Sequence, residues 1–368
     1  MEAKKEFMSW FRNRYITEED VDFLRGIVDD DEKIEECFGT DLIFEGNKLE
    51  GKLGVGTAFM NNFQVCRAVQ AYSAHMIRLA GGHVDGRVAI GYDGRSLSKD
   101  WGETVSRMLL GNGIGTSLFQ TPVSTEQLCF AINYLRLEGG IMITADEDDP
   151  RLYGLKFFNE KGEPMDEEEM MGTVLGFADI HTQSQIKSYM GAMRINSIHL
   201  KIGISNDYNF IKSIQTLSVS EDVDKDLKIA YSPLYGAGVE FIPKLFGETG
   251  YKNFYPVKEE SVFNGEFPGL ERPDPSDERV FAKVLEKAKE KDADIAIVTN
   301  PNLSEFGAAV KTGEGEYRIL TQEEQKAMLE EYKAGFTGEK PAHAKIPGPS
   351  DIFLFAEMMA YNKKNGKL

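Results

Sequence analysis

Four acidic residues stand together at Asp146, Glu147, Asp148 and Asp149, directly behind the apolar run Gly140-Ile-Met-Ile-Thr144 and Ala145. Clustered carboxylates can hold a hard cation, and a single one can act as a nucleophile that becomes an aspartyl phosphate. An acidic surface loop is the reading preferred over a metal site. An incoming anion would be repelled here, since each like-charge pair at about 4 Å costs about 1 kcal/mol even in bulk water. A second candidate is Tyr92-Asp93-Gly94-Arg95, where an acid and a guanidinium flank a glycine. Mutual pairing that braces the turn is preferred to anion binding. The five histidines (His75, His83, His181, His199, His343) have no ligand spacing, so surface or packing roles are expected of them. Gly54 and Gly56 make no dinucleotide fingerprint, because no strand of a βαβ unit precedes them.

These residues must be carried by an alternating scaffold. The N-terminal segment reads as helices with acidic turns: Thr17 with Asp20 makes a cap signal, and a second helix covers Asp30 to Cys37. Strands are then expected at Arg87–Tyr92, Gly115–Phe119 and Gly140–Thr144, with helices at Trp101–Leu110 and Gln127–Leu135 between them. The alternation repeats with strands at Leu227–Tyr231, Asn253–Val257 and Ala293–Val298, helices at Gly238–Phe246 and Asp277–Lys289, and a hairpin from Gly307–Lys311 to Tyr317–Leu320. Strands spaced by helices imply βαβ units in layered α/β domains, with a boundary between residues 185 and 205. A helix capped by Thr321 and Glu324, a Gly/Pro-rich loop to Pro349 and an amphipathic helix over Ser350–Asn362 complete the chain.

Composition narrows the function. A length of 368 residues suggests two or three domains, and 41% hydrophobic with 28% charged residues is the balance of a globular protein with real cores. A net charge of −18 argues against nucleic acid and anionic membranes as partners, since both are recognised through an excess of Lys and Arg. No apolar run approaches bilayer length, and Met1 to Phe11 is charged and amphipathic, unlike a secretory signal. Cys37, Cys66 and Cys129 fit no disulfide or metal framework and are expected to be reduced, buried thiols in a cytoplasmic protein.

Several segments, in order, resemble the phosphoglucomutase/phosphomannomutase family, the α-D-phosphohexomutases. Gly56-Thr-Ala-Phe-Met-Asn61 is similar to the family's Gly-x-x-x-Met-Asn segment, and Gly91-Tyr-Asp-Gly-Arg95 to its Gly-Tyr-Asp-Gly-Arg turn. Gly140 to Ala145 resembles the strand entering its catalytic loop, Gly154-Leu-Lys156 the exit, and Tyr231 to Gly238 the opening strand of its second domain. Phe355 to Tyr361 is similar to the helix before its last domain. The resemblance implies four domains around a cleft, each contributing one loop. The family's Thr-Ala-Ser-His-Asn-Pro loop carries the phosphoserine, and Asp146 occupies that serine's position here. Its Asp-Pro-Asp-Ala-Asp-Arg loop binds Mg²⁺, and the matching run is Asn300-Pro301-Asn302-Leu303-Ser304-Glu305, where neutral oxygens would hold the ion weakly. The family's Gly-Leu-Arg-Gly appears as Lys48-Leu49-Glu50-Gly51, and its Pro-Leu-His-Gly as Pro233-Leu234-Tyr235-Gly236. No Gly-Glu-Glu-Ser sugar loop or Arg-Pro-Ser-Gly-Thr phosphate loop is found.

The expectation is therefore two consecutive α/β/α layered domains with mixed sheets, plus a short helical remnant of a third. Domain I, with its helical N-terminal extension, is placed at residues 1–195 and domain II at 196–320. The remnant of domain III takes 321–368, and domain IV is absent. The resemblance names three catalytic positions: Asp146, expected to be inactive, Lys156 and Arg95. Lys156 reads equally as a solvated strand-end lysine. No metal ligand is expected, Asn300, Asn302 and Ser304 being degenerate, and no Mg²⁺ or other cofactor. The expected function is a pseudoenzyme with a binding, regulatory or assembly role linked to carbohydrate metabolism; the rival is an active mutase or phosphatase using Asp146. A second copy of the chain or an intact mutase is the partner considered, with sugar phosphate disfavoured.

Overall fold

The computed structural model describes residues 2–145, 151–191, 199–313, 315–336 and 348–368, and the chain divides into two units near residue 202. The first unit begins with three short helices, α1 (Glu2–Trp10), α2 (Glu18–Gly26) and α3 (Asp31–Phe38). Thr17 and Asp20 close a capping box on α2, and Asp30 caps α3, each satisfying backbone donors that the first helical turn leaves open. Then come β1 (Phe44–Glu45), β2 (Lys48–Lys52), α4 (Asn62–Leu79), β3 (Arg87–Tyr92), α5 (Ser98–Gly111), β4 (Gly115–Phe119) and α6 (Thr125–Leu135). Strands β5 (Gly140–Ile143) and β6 (Leu152–Phe158), helix α7 (Glu167–Asp179) and β7 (His199–Ile202) follow.

These strands form a mixed seven-stranded sheet in the order β1-β2-β6-β5-β3-β4-β7, with β5, β3, β4 and β7 parallel and β6, β2 and β1 antiparallel. Strands β4 and β5 are buried along their whole length, as a sheet covered on both faces requires. Helix α4 starts where Asn61 accepts the Gln64 N–H and donates its amide to the carbonyls of Gly54, Gly56 and Phe59. Gly56 is fixed in type: its φ is +110°, and a Cβ there would lie 2.1 Å from the Cys37 carbonyl oxygen. All three cysteines are buried and unbridged.

The second unit contains α8 (Ile204–Gln215), β8 (Ile229–Ser232), α9 (Gly238–Glu248), β9 (Phe254–Pro256), α10 (Ala282–Lys291) and β10 (Ile295–Thr299). It continues with β11 (Phe306–Lys311), β12 (Tyr317–Ile319), α11 (Gln322–Ala334) and α12 (Pro349–Lys364). Its sheet runs β12-β11-β10-β8-β9, and the hairpin expected across residues 312–316 is β11–β12. The Asp93–Ser96 turn and Thr121–Phe130 also belong to this unit.

Two boundaries differ from expectation. Strand β7 pairs with β4, so the first sheet extends to Ile202 rather than ending at 195. Residues beyond 320 join the core of the second unit: Leu329 and Tyr332 of α11 and Ile352–Ala360 of α12 pack with Ile229, Phe241 and Ile297. Helix α12 is not amphipathic. Its buried stretch includes Glu357, whose carboxylate accepts from Val219 N, Ser220 N and the Tyr332 hydroxyl, and those bonds make its burial tolerable. No described helix is long and apolar enough to cross a membrane.

Candidate functional site

Three of the expected loops gather at one end of the second unit. Beyond β3, Asp93 and Arg95 close the turn on themselves: Asp93 Oδ1 accepts the Arg95 backbone N–H at 3.0 Å, and Oδ2 pairs with the Arg95 guanidinium. Both side chains are buried. This is the bracing pair that the turn's spacing implies. Gly94 lies against Tyr235 and Gly236, which leave β8 through a turn where Leu234 and Tyr235 have φ of 41° and 65°. Gly236 in turn lies against the loop after β10, since a Cβ there would stand 2.2 Å from Pro301 Cα. The Ala237 N–H donates to the Pro301 carbonyl at 2.8 Å.

The loop after β10 is knitted by neutral groups. Asn300 Oδ1 accepts the Ser304 and Glu305 N–H groups at 2.9 and 3.0 Å, and Asn300 Nδ2 donates to Ser304 Oγ at 3.1 Å. Asn302 Oδ1 takes the Ser304 N–H as well, at 3.0 Å. Asn300 and Asn302 are buried, whereas Glu305 is exposed. A divalent cation of the Mg²⁺ type wants anionic oxygens in near-octahedral array. The side-chain oxygens of Asn300, Asn302 and Ser304 are uncharged and already accept hydrogen bonds from the loop itself, so this loop does not fit such an ion. Among the described residues, no cluster of three His, Cys, Asp or Glu side chains could hold a metal.

Behind Tyr235 sits a charged pair that the sequence did not single out. Glu260 is buried, accepts from Ser232 Oγ, and meets Lys283 Nζ at 3.0 Å. Burial pulls the Lys283 ammonium down, but the bond and charge of Glu260, with the Tyr235 hydroxyl, outweigh it and hold the group above its ordinary range. Tyr235 donates its hydroxyl to the Pro268 carbonyl at 3.0 Å. Glu260 lies in Lys258-Glu-Glu-Ser261, which reads as a solvated run, so no local signal marks it.

The other expected positions lie in the first unit. Thr144 and Ala145 follow the end of β5, both buried, and the Thr144 N–H donates to the Gly154 carbonyl at 3.1 Å. Asp146, placed at the phosphoserine position, lies outside the described residues, as do Glu147 to Asp149. Across β6, Glu50 faces Gly154 and Lys48 faces Lys156. Lys156 is half-buried opposite Met142. The two described histidines with buried rings pack rather than ligate: His75 Nε2 meets the Glu169 carbonyl, and His199 Nδ1 meets Thr116 Oγ1 at 2.8 Å.

Two family models match consecutive parts of the chain. Phosphoglucomutase/phosphomannomutase alpha/beta/alpha domain I covers residues 41–174, and domain II of the same family covers residues 208–313. The chain belongs to the phosphoglucomutase/phosphomannomutase family. A phosphoglucomutase from Staphylococcus saprophyticus is 27% identical over 76% of this chain and 50% of its own length. One from Staphylococcus epidermidis is 25% identical over 91% of this chain and 61% of its own. The chain thus spans between half and about three fifths of these relatives. Among solved structures, a provisionally named phosphomannomutase from Thermus thermophilus superposes with a TM-score of 0.66 at 20% identity, over 80% of this chain and 62% of its own. A phosphoglucomutase/phosphomannomutase family protein from Burkholderia thailandensis gives 0.59 at 18% identity, over 80% and 59%. These structures share the fold of this family member.

Proposed function

We propose that this phosphohexomutase relative does not transfer phosphoryl groups and acts instead by binding, in regulation or assembly linked to carbohydrate metabolism. The observation that carries the reading is the loop after β10. Phosphoryl transfer depends on fixed positive charge around the transferring group. Here the residues aligned with the family's cation ligands are Asn300, Asn302 and Ser304, with their oxygens engaged by the loop's own N–H groups. Asp146 at the phosphoserine position and Glu50 in place of an arginine support the same reading, because each adds negative charge where a dianion would have to approach. In this reading Arg95 keeps a bracing role and Lys156 is a strand lysine. The partner is an intact mutase or a second copy of the chain, in the cytoplasm.

The test is turnover of a hexose 1-phosphate with Mg²⁺ and a hexose bisphosphate activator, alongside labelling with a phosphoryl donor. No turnover and no label is expected. Turnover at ordinary enzymatic rates overturns the proposal. An acid-stable or acid-labile label that disappears in Asp146→Ala overturns it too, and assigns the nucleophile to Asp146.

A further inference from the structure

Helix α7 is apolar on two adjoining faces. Its inner face buries Met170, Thr173 and Phe177. Gly172 and Gly176, one turn apart, let α4 approach closely: a Cβ on Gly176 would lie 3.3 Å from that of Ala71, and one on Gly172 would lie 2.1 Å from His75 Nδ1. Position 172 lies by 75 and 176 by 71, so the two helices run antiparallel.

The outer face is the unexpected one. Met171 is 58%, Val174 37% and Leu175 62% exposed, and Leu79 at the end of α4 is 71% exposed. Residues i, i+3 and i+4 share one helical face, so the three α7 side chains form a single patch. Scattered exposed apolar residues are ordinary, whereas contiguous ones call for a partner. From Met170 to Ala178 no residue is charged, in a chain with 28% charged residues and a net charge of −18. Acids return at both ends of the stripe: Glu167 and Glu168 before it and Asp179 after it are exposed.

We propose that this outer face of α7 docks a basic amphipathic helix of a partner protein. The exposed acids outnumber Arg78, whose guanidinium lies beside Gly172, and this excess decides among the possible occupants. Laid on itself, parallel or antiparallel, α7 would set Glu167 and Glu168 against acids of the second copy. An anionic bilayer would be repelled by the same carboxylates. A helix with an apolar centre and Lys or Arg near its ends satisfies both parts of the surface and follows the helix-on-groove mode of recognition. The inference stands whether or not the chain turns over sugar phosphates.

The probe is a synthetic helical peptide with Leu and Ala on one face and Lys along the flanks, compared with its counterpart carrying Glu for every Lys. The Lys peptide is expected to bind the full chain, more weakly as salt rises, and to slow amide exchange over residues 167–179. Met171→Glu and Leu175→Glu should each weaken binding by about tenfold or more, and Glu167→Lys with Glu168→Lys should do so without touching the apolar patch. Ile204→Glu, at a site 71% exposed in the other unit, should leave binding unchanged and serves as the control. Equal binding of the Glu peptide, or unchanged binding in the α7 variants, overturns the proposal. So does a dimer that Leu175→Glu dissolves, which assigns the face to a second copy. Capture by anionic vesicles that Leu175→Glu abolishes assigns it to a lipid surface.

Discussion

The Asp93–Arg95 turn and the Asn300–Glu305 loop are neighbouring buried connections of the second unit, and they are held by opposite chemistry. The first uses a full charge pair, with Asp93 gripping both the backbone and the guanidinium of Arg95. The second uses amides and a hydroxyl, with Asn300 alone accepting two backbone N–H groups. Both turns must satisfy polar groups that water does not reach. Charge persists where it holds the backbone. It has gone where, by resemblance, it would serve a cation. What distinguishes the two loops is therefore the chemistry that holds them: a full charge pair in one and neutral groups in the other.

Substitutions can break this comparison in a graded way. The largest effect is expected from Asp93→Ala or Arg95→Ala, each of which breaks the buried pair and should cost about 3–5 kcal/mol in denaturant unfolding. The double variant should cost less than the sum. Next comes Asn300→Ala, which removes the acceptor of the Glu305 N–H and one of the two acceptors of the Ser304 N–H, and should cost about 1–3 kcal/mol by the same measurement. If it costs as much as the Asp93 variant, the neutral loop carries more than its hydrogen bonds suggest.

A third buried polar contact in this unit sharpens the contrast through pH. Glu126 takes the Ser350 N–H at 3.1 Å and its hydroxyl at the start of α12. Burial pushes its carboxyl up to about 7 against the opposing bonds from Ser350, with Asp351 adding in the same direction as burial. A raised folded-state value means that the native chain holds the proton more tightly than the unfolded one. Its contribution, on the order of 3 kcal/mol, is full below the ordinary carboxyl range and is lost as pH rises through about 7. Glu126→Gln should flatten that part of the stability–pH curve, which thermal melts across pH would read. The smallest effect is expected at Glu305, exposed on the loop's rim, where Glu305→Arg should change stability by less than about 0.5 kcal/mol.

The elements that sequence revealed best carry their signals locally. The capping boxes at Thr17/Asp20 and Thr321/Glu324 and the Asp93/Arg95 pair join residues two or three apart. Strands β3 and β4 have the expected limits because their apolar runs are bounded by turn residues. Strand β2 escaped: Lys48-Leu-Glu-Gly-Lys52 has little β preference, and its pairing with Leu152–Lys156 comes from a partner far along the chain. The Glu260–Lys283 pair escaped for the same reason, since neither residue has a neighbour that announces the other. Helix α12 was found but its environment was not. Glu357, Ser350 and the terminal lysines suggest a polar face, yet the buried Glu357 is satisfied by a turn at Val219–Ser220. For the site, sequence exposed which charges had changed. The structure added that the side chains of the loop after β10 already bond one another.

That last point is tested most directly by calorimetric titration of the chain with Mg²⁺. The account predicts no heat beyond dilution and no shift in melting temperature, for the native chain and for Asn300→Ala alike. Saturable one-site binding that Asn300→Ala abolishes would contradict it.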